Sequence, residues 1–301
     1  MSLWIVATLL AASLQATRFY LQKRLSVSGL SPTASTFARF VYAPLPIAIG
    51  LGIWALTSQT AMPRIGSAFW GFAAAGGLSQ ILATICLVAL FSRRNFAVGM
   101  AFSKTAVLLT VVAGFLLLGE LVTLAALVAM AVGFAGVLIL SVPEGLGARA
   151  NPFNVASALG LASGAFFSVS AVGYRGASLA IATEAPLIRA AMTLCFVTLF
   201  QTALLGGWLL WRDRAGLRAV FVRWRVTALV GLTSMLGSLG WFTAYTLQTA
   251  AYVNAVGQIE LLLSMLISRF LLGERQTARE LAGITLVGVS VLGLILLGGA
   301  P

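Results

Sequence analysis

The sequence predicts an all-α membrane protein of ten transmembrane helices, arranged as two inverted five-helix repeats. Three observations predict it. Hydrophobic residues make up 60% of the 301 and charged residues only 9%, with a mean hydropathy of +1.03. A water-facing domain carries about 25% charge. Apolar runs of about 20 residues recur along nearly the whole chain, each able to cross a ~30 Å hydrocarbon core at ~1.5 Å per residue. A β-barrel would instead alternate over segments of about ten. The third observation is an internal repeat at an offset of 154 residues.

Taken in order, the first span is expected near 3–22, where SLWIVATLLAASLQA is apolar but lacks the basic leader of a signal peptide. Four more follow near 34–56, 67–91, 97–118 and 121–141. The stretch SVPEGLGARANP, Ser141 to Pro152, then mixes Pro, Gly and charge and reads as a linker. The second set is expected near 153–173, 185–211, 226–249, 251–272 and 277–298. Residues 1–142 thus form one repeat, 143–152 the linker and 153–301 the other. Ala97 aligns with Ala251, Ala101 with Ala255, Leu108 with Leu262, Leu109 with Leu263 and Thr123 with Thr277. The block Leu117-Leu118-Gly119-Glu120 aligns with Leu271-Leu272-Gly273-Glu274. An odd number of spans per half reverses the second half in the bilayer, as in many secondary transporters.

Those two Leu-Leu-Gly-Glu blocks, closing spans four and nine, resemble the EamA branch of the drug/metabolite transporter (DMT) superfamily. Pro32 with Arg39 at span two, and Pro186 with Arg189 at span seven, are similar to that family's Pro-and-Arg segment. The resemblance implies a carrier of the inner (plasma) membrane, often an exporter, of amino acids or other small metabolites.

The net charge of +12 does not point to nucleic acid, because the arginines gather in short loops between spans. Loops after spans one, three, five, seven and nine carry Lys23, Arg24, Arg93, Arg94, Arg149, Arg212, Arg214, Arg218, Arg223, Arg225, Arg275 and Arg279; the others carry Arg64, Arg175 and Arg189. Twelve against three places the first set in the cytoplasm and both termini outside. Relatives in the resembled family are expected to keep both termini inside, so the chain departs from them here. The run Trp211 to Arg225 interleaves Trp, Phe and Arg. It reads either as a segment lying on an anionic leaflet or as a solvated loop with interfacial tryptophans. Cys86 and Cys195 lie in apolar runs and histidine is absent from the sequence, so no metal site and no cofactor is expected.

Charges inside spans mark candidate sites, since each costs about 2.5–3.5 kcal/mol at a helix centre on insertion scales. Arg18, Arg39 and Arg269 fall near expected helix ends, where long stems snorkel to the headgroups. Lys104 and Glu260 lie deeper. Lys104 is expected to hold an anionic group, and Glu260 an ammonium or a proton; a salt bridge between the two that only clamps helices is the alternative. Gln258, Asn254, Gln15, Gln80, Trp241 and Tyr245 complete the expected substrate-binding set, with Thr84, Gln248 and Tyr252 on neighbouring positions. Ala156, Gly160, Gly164 and Ser168, with Gly71, Gly76 and Gly77, read as close-packing faces. Glu120 and Glu274 read as span-end caps or gate-side charges.

The function expected is secondary active transport, by alternating access, of a small polar or zwitterionic metabolite such as an amino acid, with export the direction implied by the resemblance. A proton gradient would couple through Glu260. A lipid or lipid-intermediate flippase is the alternative, and a channel a further one. An enzyme is not expected: no nucleophile motif or intramembrane aspartate pair is present. The partners expected are the solute and membrane lipids, with monomer and homodimer both open.

Overall fold

The computed structural model describes residues 2–27, 29–90, 103–141, 155–263 and 277–297. The described chain is all helix apart from its turns. Helix α1, Leu3–Val27, leads to α2, Pro32–Val41, and α3, Pro44–Ser58. Ser31 caps α2, its side chain accepting from Ala34 N, and Pro32 opens the first turn with no N–H to satisfy. Pro44 cannot donate into the ladder, so the helix breaks at Tyr42–Ala43 before α3 resumes the same direction of travel. Helix α4, Ala68–Leu90, is followed by α5, Ala106–Leu118, and α6, Leu124–Ser141. Gly119 ends α5 at φ +66°, a left-handed cap that glycine adopts without a Cβ penalty.

In the second part of the chain, α7, Val155–Leu179, and α8, Pro186–Arg212, are long helices, and Pro186 opens α8. Asp213 then caps a short amphipathic α9, Arg214–Val222, by accepting from Gly216 N at 2.8 Å. Helix α10, Trp224–Leu247, precedes α11, Ala250–Val256. A turn at Gly257–Gln258 interrupts the helix, which resumes to Leu263. Helix α12, Ala278–Leu297, is the last.

Among the described residues, five helical stretches are long and apolar enough to cross a membrane: Pro32–Ser58, Ala68–Leu90, Val155–Leu179, Pro186–Arg212 and Trp224–Leu247. The chain is a multi-pass, all-α membrane protein. The expectation of ten transmembrane helices in two inverted five-helix repeats is corrected by this count. Helix α1 has the length but carries Arg18, Lys23 and Arg24 in its second half. The apolar stretches Ala106–Leu118, Leu124–Ile139, Ala250–Leu263 and Leu281–Leu297 are each shorter than 18 residues. At ~1.5 Å per residue, the 13 residues of α5 span only about 20 Å. The linker at 143–152, Arg93, Arg94, Arg149, Arg269, Glu274 and Arg275 lie outside the described residues.

The surface is inverted relative to a water-soluble protein. Leu45, Leu56, Leu210 and Leu296 stand exposed, with Trp70, Trp208, Trp211 and Trp224, whereas Thr84, Ser163, Ser170 and Gln201 are buried. Such an arrangement follows when the surrounding solvent is hydrocarbon and polar groups must find partners within the protein. Helices α4 and α7 approach closely: a methyl added at Gly173 would lie 2.8 Å from Gly76 Cα. Helices α6 and α12 are similarly close, a methyl at Gly136 meeting Gly283 O at 2.8 Å. Of the expected small-residue faces, Gly76, Gly77 and Gly164 meet neighbouring elements, whereas Gly71 faces open space.

One end of the bundle is tied across by backbone and charge. Ile65 bridges Ile181, with Gly66 N donating to Ala180 O and Ala182 N to Arg64 O, both at 2.9 Å. At the same end Arg175 Nε pairs with Glu120, and its Nη1 donates to the carbonyls of Tyr245 at 2.5 Å and Gln248 at 2.7 Å. At the opposite end Ser31 Oγ donates to Asp213 at 3.0 Å, seating α9 beside the start of α2.

Candidate functional site

Seven segments surround a polar cavity of about 110 Å³. Helix α1 contributes Gln15 and Phe19, α2 Arg39, α4 Gln80, and the turn before α5 Ser103 and Lys104. Helix α7 adds Phe167, Ser170 and Tyr174; α10 adds Ser238, Trp241, Phe242 and Tyr245; and α11 with its turn adds Asn254, Gln258 and Glu260.

Lys104 and Glu260 both sit at helix breaks. Lys104 lies in the turn that leads into α5, and Glu260 in the turn of helix that follows Gly257. Irregular backbone at membrane depth is tolerated where it lines a cavity. The two side chains form an ion pair, and they are only 9% and 5% exposed. Gln15 Nε2 donates to the other oxygen of Glu260 at 2.6 Å, so amide and ammonium hold the carboxylate from two sides. Arg18, 2% exposed, stands behind Gln15, donating to Gln15 Oε1 and to Gln22 Oε1, both at 3.4 Å.

A second cluster centres on Arg39. Its Nε donates to Ser234 Oγ at 2.9 Å and its Nη1 to Thr84 Oγ1 at 2.8 Å. With the Gln80 amide oriented to satisfy both its ends, Gln80 Oε1 accepts from Arg39 at 2.6 and 2.7 Å and Nε2 donates to Ser170 Oγ at 2.5 Å. A third cluster joins α10 to α11 and α5: Tyr245 OH donates to Asn254 Oδ1 at 2.7 Å, and Asn254 Nδ2 to Thr110 Oγ1 at 2.9 Å. Gln258 Nε2 donates to Asn254 O at 3.0 Å. The Trp241 and Tyr245 rings stack at 6.0 Å and 22°, forming an aromatic wall. Two cavity residues carry buried polar atoms with no partner among the described residues, the donor Trp241 Nε1 and the acceptor Gln258 Oε1.

All eight residues expected to bind substrate, Lys104, Glu260, Gln258, Asn254, Gln15, Gln80, Trp241 and Tyr245, line this one cavity. Other expectations fall elsewhere. Gln248 follows the end of α10 rather than extending its Trp241–Tyr245 face, and its carbonyl accepts from Arg175. Tyr252 OH lies 3.4 Å from Thr123 Oγ1, away from the cavity lining. Glu120 is half of the ion pair with Arg175 and not a simple cap. Arg18 and Arg39 do not snorkel, both being buried toward the interior. Ser103, Ser170, Tyr174 and Ser238 were missed; the i, i+4 pair Ser170 and Tyr174 on one helical face was the signal available.

No family model matches the chain, and no curated protein matches it. Twenty-four solved chains do match in structure. One of them, titled "Crystal structure of protein", has a TM-score of 0.68 at 15% identity, covering 97% of this chain and 99% of its own. A likeness at that identity shows a shared fold alone. Membership of the EamA-type DMT superfamily, expected from the Leu-Leu-Gly-Glu blocks, is therefore corrected, and the inverted-repeat exporter attributes go with it. The described block has a local explanation: Gly119 supplies the left-handed cap of α5, and Glu120 the partner of Arg175.

Proposed function

We propose that the chain is a secondary active transporter that carries a small polar solute through the central cavity by alternating access. One observation supports it above the rest. A cavity lined by Gln, Asn, Ser, Lys, Arg and Glu lies among helices whose outer faces are apolar, with Gln80 close to the middle of α4. Polar groups at that depth are costly unless they serve one another or a solute. Trp241 Nε1 and Gln258 Oε1 have no partner to serve among the described residues. One end of the bundle is tied by Arg175 and the 64–66 to 180–182 backbone bonds, as a carrier closed on one side requires.

Solute passes unchanged in this reading, so no catalytic residue is assigned. The end bearing Arg212, Arg214, Arg218, Arg223 and Arg225 faces the cytoplasm of a bacterial-type inner membrane, with α9 against anionic headgroups. A flippase would use basic groups at a lipid-facing rim; Arg18 and Arg39, its best candidates, are 2% and 6% exposed in the interior.

Counterflow of labelled solutes into liposomes holding the purified chain tests the proposal. Saturable exchange is expected; lipid translocation without solute flux would refute it. A cysteine on a C-terminal tag should react with a membrane-impermeant maleimide in intact cells. Labelling only after lysis would reverse the orientation.

A further inference from the structure

We infer that the solute is an organic anion, best a dianion such as a dicarboxylate or a phosphate monoester, that also carries a hydrogen-bond donor. This rests on the transport reading and narrows its substrate class. Among the described residues, four charged side chains line the cavity or stand directly behind its wall: Arg39, Lys104, Arg18 and Glu260. Three cations and one carboxylate leave an excess of two positive charges. Glu260 is already engaged by Lys104 and Gln15.

Arg39 is the decisive group. Its partners Ser234, Thr84 and Gln80 are all neutral, and no described carboxylate lies within ion-pair distance of it. Guanidinium stays protonated in proteins, so burial does not remove the charge by deprotonation. A cation held in low dielectric without a counter-charge is expensive, and an entering acid group offsets it. A zwitterion adds no net charge and an amine makes the excess larger; a dianion brings the cavity to neutrality.

The neutral groups add a second specification. Trp241 Nε1 offers a donor to the acid group or to an oxygen beside it, while Gln258 Oε1 asks for a donor on the solute. The stacked Trp241 and Tyr245 rings, with Phe19 and Phe167, supply apolar wall for a short carbon skeleton. The chemistry described is a hydroxy-dicarboxylate or a polyol phosphate rather than a neutral amino acid.

Thermal unfolding of the purified full chain in detergent, with malate, glycerol 3-phosphate, leucine, putrescine or dihexanoyl phosphatidic acid added, tests this. Malate or glycerol 3-phosphate is expected to raise Tm by mass action, and leucine and putrescine are not. Arg39→Gln should weaken the anion response about 10- to 100-fold, the loss expected for a charged hydrogen bond, while Arg39→Lys keeps a measurable response. Tm without probe shows whether each variant folds. Stabilisation by leucine or putrescine alone, by the phosphatidic acid alone, or by no probe overturns the inference. So does a folded Arg39→Gln protein that responds like the parent. Flux in liposomes separates the two readings: leucine counterflow without anion flux removes the anion class and leaves the carrier. Anion binding with no flux of any probe removes the carrier and leaves the anion site.

Discussion

Lys104 and Glu260 form an ion pair between two breaks in helix, the turn ahead of α5 and the turn behind Gly257. The pair ties the same two elements that the Asn254–Thr110 hydrogen bond joins. Removing one partner strands the other charge in the interior, at a cost of about 3–5 kcal/mol. Lys104→Met and Glu260→Gln should each lower Tm sharply, and the double variant should recover most of the loss. Both singles and the double should lose solute uptake. Normal transport by the folded double variant would show that the pair only clamps helices.

Arg175 joins Glu120 to the carbonyls of Tyr245 and Gln248, so one guanidinium holds the ends of α5, α7 and α10 together. Each charged hydrogen bond lost is worth about 1.5–3 kcal/mol. Arg175→Gln should therefore open this end of the bundle. In a background lacking Cys86 and Cys195, a cysteine placed at Asn254 should react faster with a water-soluble maleimide when Arg175 is changed. An unchanged rate would mean that this end does not gate access.

Gly257 lies beneath the Trp241 indole, and a methyl group there would overlap the ring. Gly257→Ala must push the indole aside, with a destabilisation of about 1–3 kcal/mol typical of overpacking. Because Trp241 stacks on Tyr245, the displacement should also appear in tryptophan emission. Trp241→Phe measured beside it isolates the contribution of that indole. An emission spectrum identical to the parent's would place the ring elsewhere.

Asp213 performs two tasks at the basic end, accepting from Gly216 N at 2.8 Å and from Ser31 Oγ at 3.0 Å. Asp213→Ala should cost about 1 kcal/mol, the usual worth of a helix N-cap, and should speed hydrogen exchange at the Gly216 amide. Asp213→Asn keeps an acceptor and should retain most of the stability.

Much of the site could be read from residue type because hydrocarbon makes buried polar groups conspicuous. Gln15, Gln80, Asn254 and Gln258 stand out in apolar runs, and the structure brings them to one cavity. Depth was harder to read, since it depends on where helices end. Arg18 looked near the end of a helix expected at 3–22, but α1 continues to Val27 and leaves it two turns inside. Arg39 looked near the start of a span at 34–56. Ser31 and Pro32 begin the helix earlier, and Arg39 is buried among Ser234, Thr84 and Gln80. The number of spans was misread for a related reason: apolar composition alone does not distinguish a full crossing from the 13-residue α5. Leu-Leu-Gly-Glu misled because leucine and glycine recur by chance in such sequence, and in the described copy a cap and an ion pair account for them.

Helices α4 and α7 touch backbone to backbone at Gly76 and Gly173. With the Phe72 and Tyr174 rings packed against Gly176 and Gly76 beside that contact, they have little freedom to slide, and the two behave as one stave. On the proposed carrier cycle, the rearrangement that exposes the interior first to one face and then to the other falls to the pairs outside this seam, α1 with α10 or α6 with α12. In that cycle the molecule works like a mast with hinged boards: the Gly76–Gly173 seam stays still while its surroundings swing.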